Sequence, residues 1–343
     1  MKPLLCALVC GVACAATPVL LDTDIGTDID DAFALALAIA SPELDLRGVT
    51  TVSADAYGRA LIACRFLEAA GKSGVPVSPG RPRRATPERR GQYEYGAGAF
   101  AKRPLAQLAA EFLFERLKAE PGRLTIITIG DLTNVARLLT DHPEAKPWIQ
   151  RIVIMGGSVR AGYNRKPPAV WEWNIRSDIP AAQTVFNSGV PLTVAPLDAT
   201  VVKLEKTGRE RIFAGNALGR ELQELYRLWG KETPTLFDPV AVTLSFRESF
   251  FKMENLRLRV DPDGFTREAA GEPNARTATA IDQDGFLEWY VGRIGNYRSA
   301  AKFTSPRRLR VHRSIPLEMP ATGFAPSGAR GNYEPFDVGL LRR

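Results

Sequence analysis

Histidine is nearly missing from this chain: His142 and His312 are the two in 343 residues. Chemistry built on a histidine base therefore has little to draw on. Cysteine is scarce in a more specific way. Three of the four, Cys6, Cys10 and Cys14, fall in an N-terminal stretch with the form of a removable leader, which leaves Cys64 by itself. No internal disulfide can form in the remaining chain. The helical, alanine-rich setting of Cys64, "LIACRFLEAAG", reads as a packed thiol with no histidine nearby in sequence to activate it. Long apolar runs are lacking too. Past the leader nothing reaches the roughly 18 consecutive apolar residues needed to cross a bilayer, so no membrane span is expected.

What is present is ordinary for a globular protein, with 45% hydrophobic and 24% charged residues. Lys2, the apolar run Leu4 to Val12 and the small-residue site Ala13-Cys14-Ala15 make residues 1–16 a secretory signal. Export to the periplasm or beyond the cell is the expectation. The net charge of +7 concentrates toward the C-terminus, where "KFTSPRRLRVHR" runs from Lys302 to Arg313. Such a run is compatible with a solvated surface or with an anionic partner. It lacks the interleaved aromatics of single-strand binders, and nucleic acid is not the expected partner. The domain reading is a leader over 1–16, one α/β domain over 17–295 and a basic C-terminal extension over 296–343.

Five carboxylates crowd into ten residues, Asp22-Thr23-Asp24-Ile25-Gly26-Thr27-Asp28-Ile29-Asp30-Asp31. Like charges this close oppose each other's ionisation unless a multivalent cation or many hydrogen-bond donors offset them. Oxygen ligands alone favour a hard ion, Ca²⁺ or Mg²⁺. Pro18 to Leu21 reads as a strand and Ala32 to Ala40 as a buried helix. Asp24 then closes the strand, Gly26 allows the turn, and Asp30 and Asp31 fall in the first helical turn. There the helix dipole favours negative charge. In an open α/β sheet such a strand-to-helix turn lies at the carboxyl edge, where ligands bind. The plainer reading is a capped helix beside an acidic surface loop, which suits one or two acids better than five.

Strand-like and helix-like segments alternate as far as about Gly295. "LRGVTTVS" precedes helical Ala56 to Gly71, "RLTIITIG" precedes helical Thr133 to Thr140, and "VPLTVAPLD" leads toward a helical stretch, Arg209 to Trp229. This predicts an α/β fold with an open, mostly parallel sheet flanked by helices. Two long loops interrupt the alternation, Ser78 to Gly98 and Ser158 to Ile175. Loops of that length in a compact domain often cover active sites. The second carries Trp171 and Trp173, which would be costly to leave in water.

The segment "VLLDTDIGTDIDDAFALALA", followed in order by "GVTTVSADA", "IGDLTN", "IVIMGG", "EWN" and "FDPVAV", resembles the nucleoside hydrolase family of inosine-uridine preferring type. The resemblance runs from about residue 18 to 295. It implies a metal-dependent hydrolase that cleaves the N-glycosidic bond of ribonucleosides to free base and ribose, with Ca²⁺ holding the attacking water and the sugar hydroxyls. It is also compatible with a homodimer or homotetramer and a role in purine or general nucleoside salvage.

By resemblance, Asp24 binds the metal and takes the proton from water, and Asp31, Asp238 and the main-chain carbonyl of Ile129 complete the protein's ligands. Asp30 matches a ribose-binding carboxylate, with Asp28 a competitor for that role. Glu172 and Asn174 match a pair that grips the sugar, and Asn164 matches an earlier asparagine of the same loop. Asp55 stands where many members have asparagine, which keeps an acceptor but loses a donor. Inosine-uridine members carry a histidine before the last metal-binding aspartate; here it is Phe237, which cannot protonate a leaving base. Trp171, Trp173, Tyr226, Trp229 and Phe237 are available to stack a base, and Tyr226 to act as a weak donor.

The chemistry stands without the family. Cleaving a ribosyl C–N bond passes through an oxocarbenium-like state that nearby carboxylates stabilise. A second reading is a ribosyl- or nucleoside-binding protein that turns over slowly or not at all. An aspartyl phosphatase built on Asp22, with Lys203 or Lys206 as its cation, would need acids at the helix start that repel phosphate. An EF-hand fails because Phe33 stands at the twelfth loop position.

Overall fold

The computed structural model describes residues 15–83 and 87–298. The leader read over 1–16 and the extension read over 296–343 therefore lie almost wholly outside the described residues.

Among the described residues there are ten strands: β1 (Thr17–Thr23), β2 (Leu44–Thr51), β3 (Val77–Pro79), β4 (Leu124–Thr128), β5 (Ile149–Met155), β6 (Leu192–Ala195), β7 (Phe251–Leu256), β8 (Leu258–Val260), β9 (Thr266–Glu268) and β10 (Ala275–Ile281). Eight form one sheet in the order β3-β2-β1-β4-β5-β6-β10-β7, and β8 and β9 make a separate antiparallel ribbon. Every pair in the large sheet is parallel except β10 with β7. The mostly parallel α/β architecture is as expected. The antiparallel edge and the ribbon were not legible, because short, half-polar runs such as "FKMENL" carry no mark of direction.

Alternate residues of each central strand enter opposite cores. Val19 and Leu21 pack on one face with Ile127 and Val153, while Leu20 packs on the other with Ile126 and Ile152. Burial on both faces makes these strands continuously apolar rather than alternating. Each fully buried Leu or Ile contributes roughly 1.5–3 kcal/mol.

Chain order reverses beside β1. From β1 the chain builds outward through β2 and β3, then returns to lay β4 on the other side of β1, with Leu21 set against both Val49 and Ile127. The carboxyl ends of β1 and β4 thus diverge into a crevice, the place where open α/β sheets bind ligands. Helix α1 (Asp30–Ala40) follows β1, and every one of its residues is buried. An apolar stripe all the way round suits a helix enclosed by the sheet and other helices. Helix α2 (Ala56–Ala69) follows β2.

The single helix read over Arg209 to Trp229 is two, Lys206–Phe213 and Ala217–Trp229. Asn216 is the reason: its side chain accepts the Gly219 N–H and caps a new helix start.

Candidate functional site

Two helix starts meet over the crevice. Asp30 and Asp31 open α1, and Asp238 lies in the first turn of the helix Phe237–Leu244, whose Asp238 main-chain N–H donates to Asp30 Oδ2 at 3.3 Å. One oxygen from each of Asp30, Asp31 and Asp238 lies within 4.8 Å of the others, and all three side chains are buried. Both helix dipoles favour negative charge at this point. The turn before α1 depends on Gly26, whose φ of +117° suits glycine and whose Cβ, if present, would stand 2.8 Å from Ile62 Cδ1.

Burial dominates the electrostatics. It pushes Asp30, Asp31 and Asp238 well above the ordinary carboxylate range, with neighbouring aspartates adding to the rise. Asp24 is raised to about 6, chiefly by burial, against a lowering by Arg59 and a further rise from Asp131. Asp22 goes to about 7 for the same first reason, although Thr50 Oγ1 and Asn134 Nδ2 donate to its Oδ1 at 2.6 and 2.8 Å.

Arg59 is the buried cation beside these acids, but its donors are turned to other acceptors. They reach the main-chain oxygens of Asp24, Ile25 and Ser53 and the hydroxyl of Thr27. The guanidinium thus fixes the acidic loop without pairing its carboxylates. Thr23 Oγ1 donates to Asp31 Oδ1 at 2.5 Å; with the Asp238 N–H on Asp30, two neutral donors stand against three converging carboxylates. An oxygen-only, negatively charged, uncompensated cluster fits a hard divalent cation.

The remaining sequence candidates fall into groups. Ile129 lies one residue past the end of β4; its carbonyl accepts from Asn174 Nδ2 at 3.2 Å, and the same amide reaches the Met155 carbonyl at 3.2 Å. Asn174 thus ties the ends of β4 and β5 together at the crevice. Asp24 Oδ1 lies where a Cβ on Gly130 would come within 3.0 Å, so Gly130 makes room for this carboxylate. Glu172 caps the helix Trp173–Ser177, accepting from Gly157, Asn174 and Ile175 N–H groups at 2.9–3.1 Å. Burial still raises its carboxyl to about 7. Asp28 Oδ1 accepts the Ile29 N–H at 2.7 Å at the approach to α1.

Asp55 caps α2 through Gly58 at 2.9 Å, and its other oxygen accepts the Glu88 N–H at 2.8 Å. Each of its two oxygens takes a main-chain N–H, whereas an amide would set its own NH2 against one of the two donors.

The aromatic candidates separate. Phe237 meets Tyr163 edge to face, ring centroids 6.0 Å apart. Trp173 is 56% exposed, contrary to the expected cost of leaving it in water, and Trp171 lies 4.6 Å beneath the Arg176 guanidinium. Tyr226 and Trp229 pack together with Phe213, and the Tyr226 hydroxyl donates to the Glu232 carbonyl at 2.6 Å. The contacts of Tyr226 include no member of the acidic cluster. Asn164 is exposed and its Oδ1 closes a turn onto the Lys166 N–H at 3.0 Å.

Sequence reasoning passed over Asp131, Arg59 and Tyr163. Asp131 stands inside the "IGDLTN" motif, and its Oδ1 accepts from the Thr133 hydroxyl at 2.5 Å while Arg83 approaches Oδ2 at 3.6 Å. Arg59 left a faint signal, a charge in the first turn of a largely apolar helix.

The mostly parallel α/β sheet thus carries at its switch point a carboxylate cluster that could hold a cation in the crevice. The chain matches the inosine-uridine preferring nucleoside hydrolase model over residues 19–288 and belongs to that family, an N-glycosyl hydrolase group. It is 31% identical over 317 residues to the pyrimidine-specific ribonucleoside hydrolase RihA of Citrobacter koseri, covering 83% of this chain and 100% of that protein. A protein of the same name from Escherichia coli O9:H4 is 30% identical over 315 residues, covering 82% and 99%. Among solved structures, the plant nucleoside hydrolase PpNRh1 superposes with a TM-score of 0.72 at 24% identity, covering 82% of this chain and 99% of that one. A purine-preferring ribonucleoside hydrolase from Gardnerella vaginalis gives 0.71 at 24% identity, covering 83% and 100%.

Proposed function

We propose that this chain is an exported, Ca²⁺-dependent hydrolase that splits ribonucleosides into free base and ribose, with Asp24 as the base for the attacking water. The observation that carries the reading is the buried convergence of Asp30, Asp31 and Asp238 beside Asp24, with the nearest guanidinium committed elsewhere. Asp24, Asp31, Asp238 and the Ile129 carbonyl would hold the cation, which when bound supplies Lewis acidity toward water and the sugar hydroxyls.

The chain's own groups do the rest. Asp24 removes a proton from water as it approaches C1′. Asp30, Glu172 and Asn174 contact the ribose hydroxyls, and the ionised carboxylates around the ring stabilise its developing positive charge. Phe237 and Trp173 offer the base an aromatic surface. The names of the curated relatives favour uridine and cytidine as the first substrates to try. The signal-like residues 1–16 support export.

A second reading, nucleoside binding with little turnover, draws on Phe237, which puts a ring without an acidic proton next to Asp238. Purified mature protein is assayed with uridine, cytidine, inosine and adenosine, with and without chelator. Base release that is lost on chelation and in Asp24→Asn supports the hydrolase. Saturable nucleoside binding with no base released supports the second reading.

A further inference from the structure

Breaking a C–N glycosidic bond leaves the bonding pair on the base, and a nucleobase anion departs far faster if a hydrogen reaches it in the same step. The groups near this site are mostly unable to give one. Asp24, Asp31 and Asp238 would be taken up by the cation and Asp30 by the ribose, and Phe237 has no proton to offer. Three phenols feel the field of the cluster: Tyr93, Tyr163 and Tyr290.

Tyr290 is buried and donates to the Phe33 carbonyl at 3.1 Å. Tyr93 is buried against Gly26 and Gly58, with the Arg59 guanidinium 5.7 Å from its ring centre. Tyr163 differs from both. It is 39% exposed, its ring meets Phe237 edge to face, and its hydroxyl oxygen accepts the Trp173 main-chain N–H at 3.1 Å. A phenol has one hydrogen, and among the described residues no acceptor takes that of Tyr163.

We propose that Tyr163 is a catalytic residue that gives its hydroxyl hydrogen to the departing base; the proposal rests on the hydrolase reading above. As the C1′–N bond breaks, its electron pair passes to the base and the Tyr163 proton follows. Water adds its oxygen to C1′ and its proton goes to Asp24. Asp24 then releases its proton to solvent and the phenolate recovers one from solvent, so one nucleoside and one water become one base and one ribose. The Trp173 N–H stabilises the phenolate oxygen while it is charged. Partial desolvation and the field of the Glu172, Asp30 and Asp28 carboxylates hold the phenol protonated until the base withdraws the hydrogen. A nucleobase N–H and a free phenol are comparably acidic; the surroundings make Tyr163 the weaker acid, so it yields its proton only as negative charge builds on the departing base.

Tyr163→Phe is assayed with uridine or inosine and with 4-nitrophenyl riboside, whose leaving group departs without a proton. The expected result is a tenfold or greater rise in the ratio of kcat/KM for the activated riboside over that for the nucleoside, in line with the roughly 10²–10⁴-fold worth of general acid–base catalysis. Both rates come from one sample, so the ratio is independent of the folded fraction. A change of less than tenfold, whether both rates fall together or neither moves, overturns the proposal. A wild-type chain that cleaves neither substrate overturns the hydrolase reading itself, a different outcome from an unchanged ratio in a working enzyme.

Discussion

Asp24 and Asp55 are both single aspartates just past a strand, and the structure gives them opposite work. Asp24 is part-exposed beside the carboxylate triad, with its main-chain oxygen held by Arg59. Replacing it with asparagine is expected to lower kcat by roughly 10²–10⁴-fold while leaving the melting temperature equal or higher in chelated protein, because the repulsion between Asp24 and the neighbouring aspartates is removed. Parallel turnover and thermal melts check both halves. Asp55 instead holds two main-chain N–H groups, one on α2 and one on the loop before Gln92. Asp55→Asn leaves one of them without an acceptor and is expected to cost about 1 kcal/mol, read from urea unfolding. From sequence the two residues look alike, since only the fold reveals that the neighbours of Asp55 are both donors.

At the scale of elements, the β1–α1 connection decides the site. Gly26 lets the chain turn so that Asp24 stays at the strand end while Asp30 and Asp31 enter the helix. Gly26→Ala would place a methyl at 2.8 Å from Ile62 Cδ1 on a backbone that disfavours side chains. A loss of about 1–3 kcal/mol is expected, accompanied by weaker cation binding, measured by calorimetric titration. This element was legible because its signals agree: an apolar strand, a glycine, acids and an alanine-rich helix. The helix Phe237–Leu244 was legible as a motif, but its meeting with α1, separated by some two hundred residues, belongs to the tertiary structure. The break at Asn216 went unread because a capping residue inside an amphipathic run does not disturb its period.

For the whole molecule, the site trades stability for charge. Asp22 and Asp24 have folded values of about 7 and 6 against 3.8 for the free side chain. A carboxyl raised on folding binds more protons folded than unfolded between those two values, so without a cation stability falls as pH rises through that window. A bound divalent cation favours the ionised cluster and reverses the loss. Added Ca²⁺ is therefore expected to raise the melting temperature more at about pH 8 than at about pH 5, and chelator to erase the difference. Equal shifts at both values would refute it. The sequence by itself determined the parallel-rich α/β class, the acidic loop and the family motifs in order, because local apolar periodicity and clustered charge are written in neighbouring residues. Only the tertiary structure decided that Asp238 closes onto α1, that Arg59 holds the loop's backbone and leaves its carboxylates unpaired, that Tyr226 is committed to Glu232, and that Tyr163 stands beside Phe237. Each of those depends on which distant segments share the crevice where the strand order reverses, and no local pattern encodes that.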